Sequence, residues 1–390
     1  PPPPSICTGI DDMTGRRQAF STDEFAARLA RVREQMQVLD IDVLLVNTPE
    51  NIYYLTGYQT SGYFAYQALI IGETGPPTLL IRHLERGNVA EYSWLTDVAT
   101  WKEGDDVVAM TLDLLRAAGA DNKSVALEKA SWFLTVAVAE ALMAGLSSSR
   151  IVDARHLVER VRLVKSAAEL EFLRRAARIA ELEQRTAWSA ISATACEADI
   201  AAAVFRAGIN AGCEYTGLPH HIMSGDRYEV GHANWSGKQI RRGELVLLEL
   251  YGCVERYHAT QMRTVSVGPP SDAARRAADL IIAAQDAALA AMRPGASARD
   301  IDAAVRRPIR RIRPDYVNRT GYSIGIGFPP RTGEWDTADF NELEDWPLRE
   351  NMVFHMLALA QGFGISETVL VTKTGIERLT VQNPRELVVR

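Results

Sequence analysis

The chain has 390 residues, which is enough for two domains or one large one. Its hydrophobic content of 47% and charged content of 24% are ordinary for a soluble globular protein. The net charge of -6 argues against a surface that binds polyanions, so we expect no nucleic-acid partner. No apolar run approaches the roughly 18 residues that cross a bilayer, so we expect no membrane partner either.

The cysteines and the start of the chain bear on its location. Cys7, Cys196, Cys213 and Cys253 lie far apart and form no Cys-x-x-Cys pair. This spacing favours the reduced thiols of a cytoplasmic protein over a disulfide framework or a zinc site. Residues 1–17 lack the basic and then apolar pattern of a secretion signal, and we predict that they form an N-terminal arm.

Residues 18–157 alternate helical and strand patterns. Ser21 or Thr22 can cap a helix, and its apolar residues recur at steps of three and four. Short apolar runs at 41–46, 68–71 and 78–81 predict strands, and 107–118 and 134–143 predict helices. This alternation predicts an α/β domain with a mixed sheet.

Residues 158–390 predict a second domain. Ser166 and Glu169 form a capping-box pattern ahead of an amphipathic helix. Further helices are predicted at 197–211, 271–292 and 298–312.

The most informative stretch of this domain is residues 244–268, which we interpret as two strands. Val246, Leu248 and Leu250 alternate with Leu247 and Glu249, the period of a strand with two faces. We place a turn or bulge at residues 251–253. Glu249 is a single carboxylate in an apolar strand, and because an unpaired buried charge is costly, we expect something to sit opposite it.

This stretch resembles the catalytic domain of the creatinase/methionine-aminopeptidase superfamily, also called pita-bread proteins. There an Asp in a strand is followed by a Tyr, a second Asp and Thr-Arg-Thr; here Glu249, Tyr257, Thr260 and residues 262–264 stand at those places. The resemblance implies an α+β fold. In it, a creatinase-like N-terminal α/β domain precedes a pita-bread domain with an antiparallel sheet, flanking helices and a pseudo-two-fold repeat.

The metal ligands of that superfamily are largely replaced. The five ligand positions implied by the resemblance hold Glu249, Thr260, Tyr322, Leu357 and Ser366. A dinuclear site needs roughly four carboxylates and a histidine, and only one carboxylate remains. We therefore predict no catalytic metal and no cofactor.

Within the superfamily the chain resembles the metal-free ectoine hydrolases. The matching pieces span nearly the whole chain and include Leu-Thr-Gly-Tyr at 55–58, Arg-Thr-Gly-Tyr at 319–322 and Phe-His-Met at 354–356. The chain departs where those enzymes have Pro-Pro-Asp-Trp-Gly-Glu-Arg, because Arg331, Thr332 and Trp335 replace the Asp, the Trp and the Arg. The substrate is therefore expected to be ectoine or a different small molecule.

The resemblance implies a small-molecule substrate and a mechanism. Water would attack the carbon of a cyclic amidine, with His232 as general base and then acid. The positions predicted to be catalytic are His232, Glu249, His258, His355 and Glu367. Glu249 and Glu367 would hold the cationic amidine, and His258 and His355 would orient water or the leaving nitrogen. The positions predicted to bind substrate are Tyr63, Tyr322, Arg331, Glu334 and Trp335, and Arg331 is matched to a substrate carboxylate.

Three alternatives remain open. The chain could cleave another small amidine, guanidine or amide, act as a metal-dependent Xaa-Pro aminopeptidase, or be a catalytically inactive binding module. A homodimer is also implied by the resemblance, with the aromatic segment 58–66 reaching the neighbouring site. In creatinase-like proteins an Arg of that loop holds the substrate carboxylate, and Ala65 stands in its place here.

Overall fold

The computed structural model describes residues 10–11 and 17–390. The described chain divides into two compact units, one that ends at Arg162 and one that runs from Leu163 to Arg390. Most of the predicted N-terminal arm, residues 1–17, lies outside the described residues. No helix among the described residues is long and apolar enough to cross a membrane.

The N-terminal unit is built on a six-stranded mixed sheet of order β6-β5-β4-β3-β7-β8. Its elements are β1 (Ile10–Asp11), β2 (Arg17–Gln18), α1 (Thr22–Val38), β3 (Val43–Val46), α2 (Pro49–Thr56), β4 (Ala68–Ile71), β5 (Thr78–Arg82), a 3-10 turn (His83–Glu85), α3 (Arg86–Tyr92), β6 (Ala99–Trp101), α4 (Val107–Ala117), β7 (Ser124–Leu127), α5 (Val136–Gly145), β8 (Arg150–Asp153) and α6 (Leu157–Arg162). Strands β3, β4 and β7 are buried along their whole length. Their continuous apolar sequence is typical of strands covered on both faces.

The predicted start of the first helix is confirmed. The Ser21 hydroxyl accepts a hydrogen bond from the backbone N–H of Glu24 at 3.3 Å, which satisfies one of the free donors of α1. The predicted apolar stripe is buried, and it comprises Phe25, Leu29, Val32 and Met36.

The C-terminal unit has an antiparallel sheet of order β13-β12-β14-β15-β11-β10-β9, to which β16 adds beside β15 and β17 adds beside β11. Its elements are α7 (Ala167–Ala190), α8 (Glu197–Asn210), β9 (His221–Ser224), a 3-10 turn (Gly225–Glu229), β10 (Leu245–Val254), β11 (Tyr257–Ser266), α9 (Asp272–Ala291), α10 (Ala298–Ile309), β12 (Gly321–Ser323), β13 (Asp339–Phe340), β14 (Val353–Ala360), β15 (Phe363–Val371), β16 (Ile376–Arg378) and β17 (Val388–Val389). Twice in this unit, two helices precede a long hairpin, with one short strand between them in the first half (β9) and two in the second (β12 and β13). The two hairpins meet where β11 pairs with β15.

The turn predicted at residues 251–253 is wrong. β10 continues to Val254, and the hairpin turns at Glu255 and Arg256, whose φ angles are +48° and +61°. Two successive left-handed residues form the tight turn that matches the twist of a hairpin. Gly252 is needed for a different reason, because a Cβ there would lie 2.0 Å from the Ala176 carbonyl oxygen of α7.

The register of the sheet assigns its side chains to two faces. Leu248, Leu250 and Met356 belong to the hydrophobic clusters formed with the helices. The other face carries one row of directly paired residues, namely His221, Glu249, Met262, Ser366 and Leu357. His355 and its partner Tyr322 lie on this same face, because residues two apart in a strand point the same way.

Candidate active site

Glu249 is a carboxylate in an otherwise apolar strand. Its side chain is 15% exposed, and its Oε1 lies 3.9 Å from His355 Nδ1. Among the described residues no lysine or arginine lies within ion-pair distance of it. Burial raises the pKa of the Tyr251 phenol, and the charge of this carboxylate raises it further above the usual range. A partly buried carboxylate without a permanent cation is suited to bind a cationic ligand.

His355 is a buried imidazole that faces Glu249. Within the described part of the chain, neither ring nitrogen has a hydrogen-bond partner. Burial lowers the pKa of His355 to about 4, although the Glu249 carboxylate acts in the opposite direction. The imidazole is therefore neutral near pH 7, and one ring nitrogen can accept a proton.

Tyr251 and Tyr322 are buried phenols on the same face of the sheet. Burial raises the pKa of both well above the usual range, and the charge of Glu249 raises them further. Both hydroxyls therefore stay protonated. The Tyr322 ring packs edge-on against His355, with 5.0 Å between the ring centroids.

Arg319 and Trp335 extend this group beyond Tyr322. The Trp335 ring packs edge-on against Tyr322 at 5.9 Å. The Arg319 guanidinium lies 4.6 Å from the centroid of the Tyr322 ring and 5.2 Å from that of Trp335. A cation in these positions is stabilised by the negative faces of the rings.

Two more imidazoles come from the β9 edge of the sheet. His221 is directly paired with Glu249, and neither of its ring nitrogens has a partner among the described residues. The His232 ring centroid lies 5.8 Å from that of His221. His232 itself is exposed, with a left-handed φ of +56°. Its predicted role as general base stays a prediction.

These side chains form one continuous group, which we call the Glu249 cluster. It consists of His221, His232, Glu249, Tyr251, Arg319, Tyr322, Trp335 and His355.

The role predicted for His258 requires correction. His258 is fully buried, and its Nε2 accepts a hydrogen bond from the Gly217 N–H at 2.8 Å. Its Nδ1 donates to the Arg256 carbonyl at 2.9 Å. Burial and the neighbouring Arg256 charge lower the pKa of His258 to about 3. Both ring nitrogens are hydrogen-bonded to backbone groups, so neither is available to orient water.

Glu367 also requires correction, because it lies on the face of the sheet opposite Glu249. It is directly paired with Met356, whose side chain belongs to the helix-facing cluster. Its carboxylate accepts hydrogen bonds from Arg263 at 2.8 Å and from the Thr380 hydroxyl at 2.6 Å. Glu367 is therefore part of a buried ion pair and not of the Glu249 cluster.

Two of the predicted substrate-binding residues are engaged elsewhere. Glu334 is buried, forms an ion pair with Lys165 at 2.9 Å and accepts a hydrogen bond from Ser323 at 2.8 Å. Arg331 forms an ion pair with Asp336 at 2.5 Å. The structure therefore places neither charge at the disposal of a ligand.

Tyr63 belongs to the N-terminal unit. Its ring packs edge-on against Phe133 at 5.8 Å. Its predicted contact with substrate stays a prediction.

The positions that would hold two metal ions do not fit such a centre. Glu249 and Ser366 lie in the row of paired residues, but Leu357 offers no donor atom there. The Ser366 hydroxyl accepts a hydrogen bond from the Met262 N–H at 2.7 Å. No cluster of three or more His, Cys, Asp or Glu suited to a metal occurs in the described ranges. One carboxylate with hydroxyl and phenol groups is a poor donor set for a pair of divalent ions.

Comparison with known proteins places the chain in a family. Residues 171–373 match the metallopeptidase family M24, and residues 28–164 match the creatinase/prolidase N-terminal domain. The chain belongs to metallopeptidase family M24. The predicted superfamily and the predicted order of a creatinase-like domain and a pita-bread domain are thereby confirmed.

Individual relatives include both peptide and non-peptide hydrolases. An uncharacterized hydrolase/peptidase of Sinorhizobium fredii is 34% identical over 95% of this chain and 98% of its own length. The ectoine hydrolase of Halomonas elongata is 27% identical over 95% and 98%. The crystal structure of dipeptidase PepE from Mycobacterium ulcerans superposes with a TM-score of 0.81 at 25% identity, covering 96% of this chain and 99% of that one.

Sequence reasoning missed three members of the Glu249 cluster. Tyr251 lies two residues after Glu249 on β10 and therefore on the same face, so counting by two from Glu249 would have found it. His221 lies on the neighbouring strand β9, directly paired with Glu249. Nothing local in the sequence indicates His221, because its position depends on how β9 pairs with β10. Arg319 stood in a quoted motif, but only the packing of its guanidinium on two rings distinguishes it.

Proposed function

We propose that this protein is a metal-independent hydrolase that cleaves a non-peptide C–N bond in a small cationic substrate. The leading reaction is the opening of a cyclic amidine, as in ectoine, to an N-acetyl diamino acid. One observation carries the proposal. The Glu249 carboxylate has no lysine or arginine partner among the described residues, yet it is surrounded by a neutral imidazole and protonated phenols.

Glu249 would pair with the amidinium group and hold its carbon beside His355. A water molecule adds to that carbon and gives one proton to the neutral His355 imidazole, which in this proposal takes the general-base role that the sequence suggested for His232. The tetrahedral intermediate collapses when the C–N bond to one ring nitrogen breaks and that nitrogen takes the proton from His355. Because the broken bond lies in a ring, the product is one molecule that carries an amide and an amine and contains the atoms of the substrate and one water. Hydrogen bonds from Tyr251 and Tyr322 would stabilise the charge that develops on the way.

The relatives support this proposal in part. The ectoine hydrolase of Halomonas elongata matches along nearly the full length of both chains. The dipeptidase structure has the same fold, so a peptide substrate is the competing proposal. The donor set described above favours the non-peptide reaction, because it does not fit the metal pair on which the competing reaction would rely.

The test is a substrate screen of the purified full chain. Ectoine, hydroxyectoine, creatine and Xaa-Pro dipeptides are incubated with the protein, and products are identified by mass spectrometry. We expect cleavage of an amidine or related C–N bond that persists in excess chelator. Glu249→Gln should reduce that turnover at least about 100-fold, because it removes the charge that pairs with the cation. Glu140→Gln, an exposed change on α5, is the matched control.

Cleavage of dipeptides alone, with loss of activity on chelation, would overturn the proposal and favour the peptidase. Turnover of an amidine that survives Glu249→Gln would remove Glu249 from the mechanism.

A further inference from the structure

Arg319 is a half-buried arginine that forms no ion pair among the described residues. It precedes β12, and its guanidinium lies over the rings of Tyr322 and Trp335. In the described part of the chain, no carboxylate lies within ion-pair distance of it. Stacking on a ring engages the face of a guanidinium and leaves its N–H edge free to donate.

Other arginines of the C-terminal unit have acidic partners. Arg306 pairs with Asp302 at 2.6 Å, Arg263 with Glu367 at 2.8 Å and Arg331 with Asp336 at 2.5 Å. In each of these three pairs a carboxylate occupies the guanidinium edge. Arg319 has no such carboxylate partner among the described residues.

Asp339 is an acidic residue whose carboxyl pKa responds to the charge of Arg319. β13 places it opposite Tyr322, and the Arg319 charge acts to lower the pKa of its carboxyl, although burial raises that pKa overall. The Asp339 carboxylate accepts a hydrogen bond from Asn341 and not from Arg319. Asp339 therefore does not use the N–H edge of Arg319.

Arg319 and Glu249 act on the same two rings from different sides. Tyr322 contacts the Arg319 guanidinium by its face and the His355 imidazole edge-on. His355 in turn faces Glu249. The charges of both Glu249 and Arg319 influence the protonation of Tyr322 and of His355, in opposite directions. The Glu249 cluster thus has a negative charge at Glu249 and a positive charge at Arg319, with the rings of His355 and Tyr322 between them.

We propose that Arg319 binds a carboxylate of the substrate and makes the Glu249 cluster selective for small zwitterions. The cationic end of such a molecule pairs with Glu249, and its carboxylate takes the free edge of Arg319. This inference rests on the proposed function for the role of Glu249, and it adds Arg319 as the group that binds the substrate carboxylate. It replaces Arg331, which the sequence suggested for the carboxylate and which Asp336 already neutralises.

A pair of probes that differ only in the carboxylate tests this assignment. Ectoine and 2-methyl-1,4,5,6-tetrahydropyrimidine share the cyclic amidine, and only ectoine has the carboxylate. Binding of each to the full chain is measured by calorimetry, with creatine and methylguanidine as a second matched pair. In the wild-type protein the carboxylate-bearing member of at least one pair should bind about 10- to 100-fold tighter, the contribution of a charge-assisted hydrogen-bonded pair.

Arg319→Gln should abolish that preference, because the carboxylate-bearing member then binds no tighter than its carboxylate-free partner. Arg319→Lys, which keeps the charge without the planar fork, should restore part of it. Glu249→Gln should weaken both members of a pair. Arg311→Gln, an exposed arginine on the same unit, is the matched control for loss of one positive charge. Unfolding temperatures of all variants report whether the fold is kept.

Several outcomes would overturn the role of Arg319. These are equal affinity for both members in the wild-type protein, loss of the preference in Arg331→Gln instead, and failure of every carboxylate-bearing probe to bind. If carboxylate-free probes still bind in a manner that depends on Glu249, the proposed function stands while this inference falls.

Discussion

The buried environment of His355 predicts how activity depends on pH. Burial lowers its pKa to about 4, so the neutral form that can accept a proton exists above that pH. Activity that needs neutral His355 is therefore lost as the pH falls through about 4. In the pH profile of kcat/KM, which reports groups of the free enzyme, we expect an acid limb near 4.

The control for this profile is circular dichroism at each pH, which separates titration from unfolding. His355→Gln should lose at least about 100-fold in kcat/KM, in the range of lost general-base catalysis. His232→Ala keeps the buried imidazole and should keep the limb at its wild-type position. A limb near the ordinary imidazole value of about 6.5 would assign the general base to a different residue.

Strands β10 and β15 place two similar carboxylates, Glu249 and Glu367, in different environments. Glu249 and Glu367 are both in strands at the centre of the same sheet, but they point to opposite faces. On the helix-facing side Glu367 holds the fully buried Arg263 at 2.8 Å. Removing one partner of such a pair leaves an uncompensated buried charge, which is strongly destabilising.

Glu367→Gln should accordingly lower the free energy of unfolding by about 3–5 kcal/mol, measured by urea denaturation. Its kcat per folded molecule should stay within a few-fold of the wild-type value. Glu249→Gln should show the reverse, with stability retained and turnover lost. If Glu367→Gln were stable and inactive, the assignment of the two faces would be wrong.

The molecule as a whole carries buried imidazoles that resist protonation. The pKa of His258 is lowered to about 3 and that of His355 to about 4, from an ordinary value of 6.5. Between 6.5 and these values the unfolded chain binds protons that the native protein does not. The native state therefore loses stability as the pH falls below about 6.5.

Each imidazole should lower the free energy of unfolding by about 2 kcal/mol between pH 6.5 and pH 5. Glu128 of the N-terminal unit has the opposite effect on the free energy of unfolding. Burial and the charge of Glu159 raise its pKa to about 7, so as the pH falls the native carboxyl binds a proton before the unfolded one does. Urea unfolding of the wild-type protein and of His258→Gln across this range isolates the histidine contribution. The variant should show a shallower decline towards low pH; an equal slope in both proteins would contradict the burial of a neutral His258.

Features that depend on neighbours in the sequence were predictable. The cap at Ser21, the capping box at Ser166 and the two long strands around Glu249 follow from patterns a few residues long. The oddity of Glu249, a carboxylate in an apolar strand, was visible in the same way. Caps and the period of two are local rules, so the sequence alone is enough to apply them.

The composition of the Glu249 cluster depended on pairings between distant segments. The structure brings Glu249, Tyr322, Trp335 and His355 together as the sequence suggested, although their chemical roles stay predictions. It moves His258, Glu334 and Glu367 out of the group and adds residues from β9, β10 and the segment before β12.

By itself, then, the sequence determined the family, the order of the two domains and the carboxylate around which the site is built. Only the tertiary structure decided which polar groups are free. Arg263 neutralises Glu367 from 104 residues away, whereas Arg319 forms no ion pair among the described residues. The reason is that a one-residue difference in strand position moves a side chain to the other face, and the register that sets it joins segments far apart in the chain.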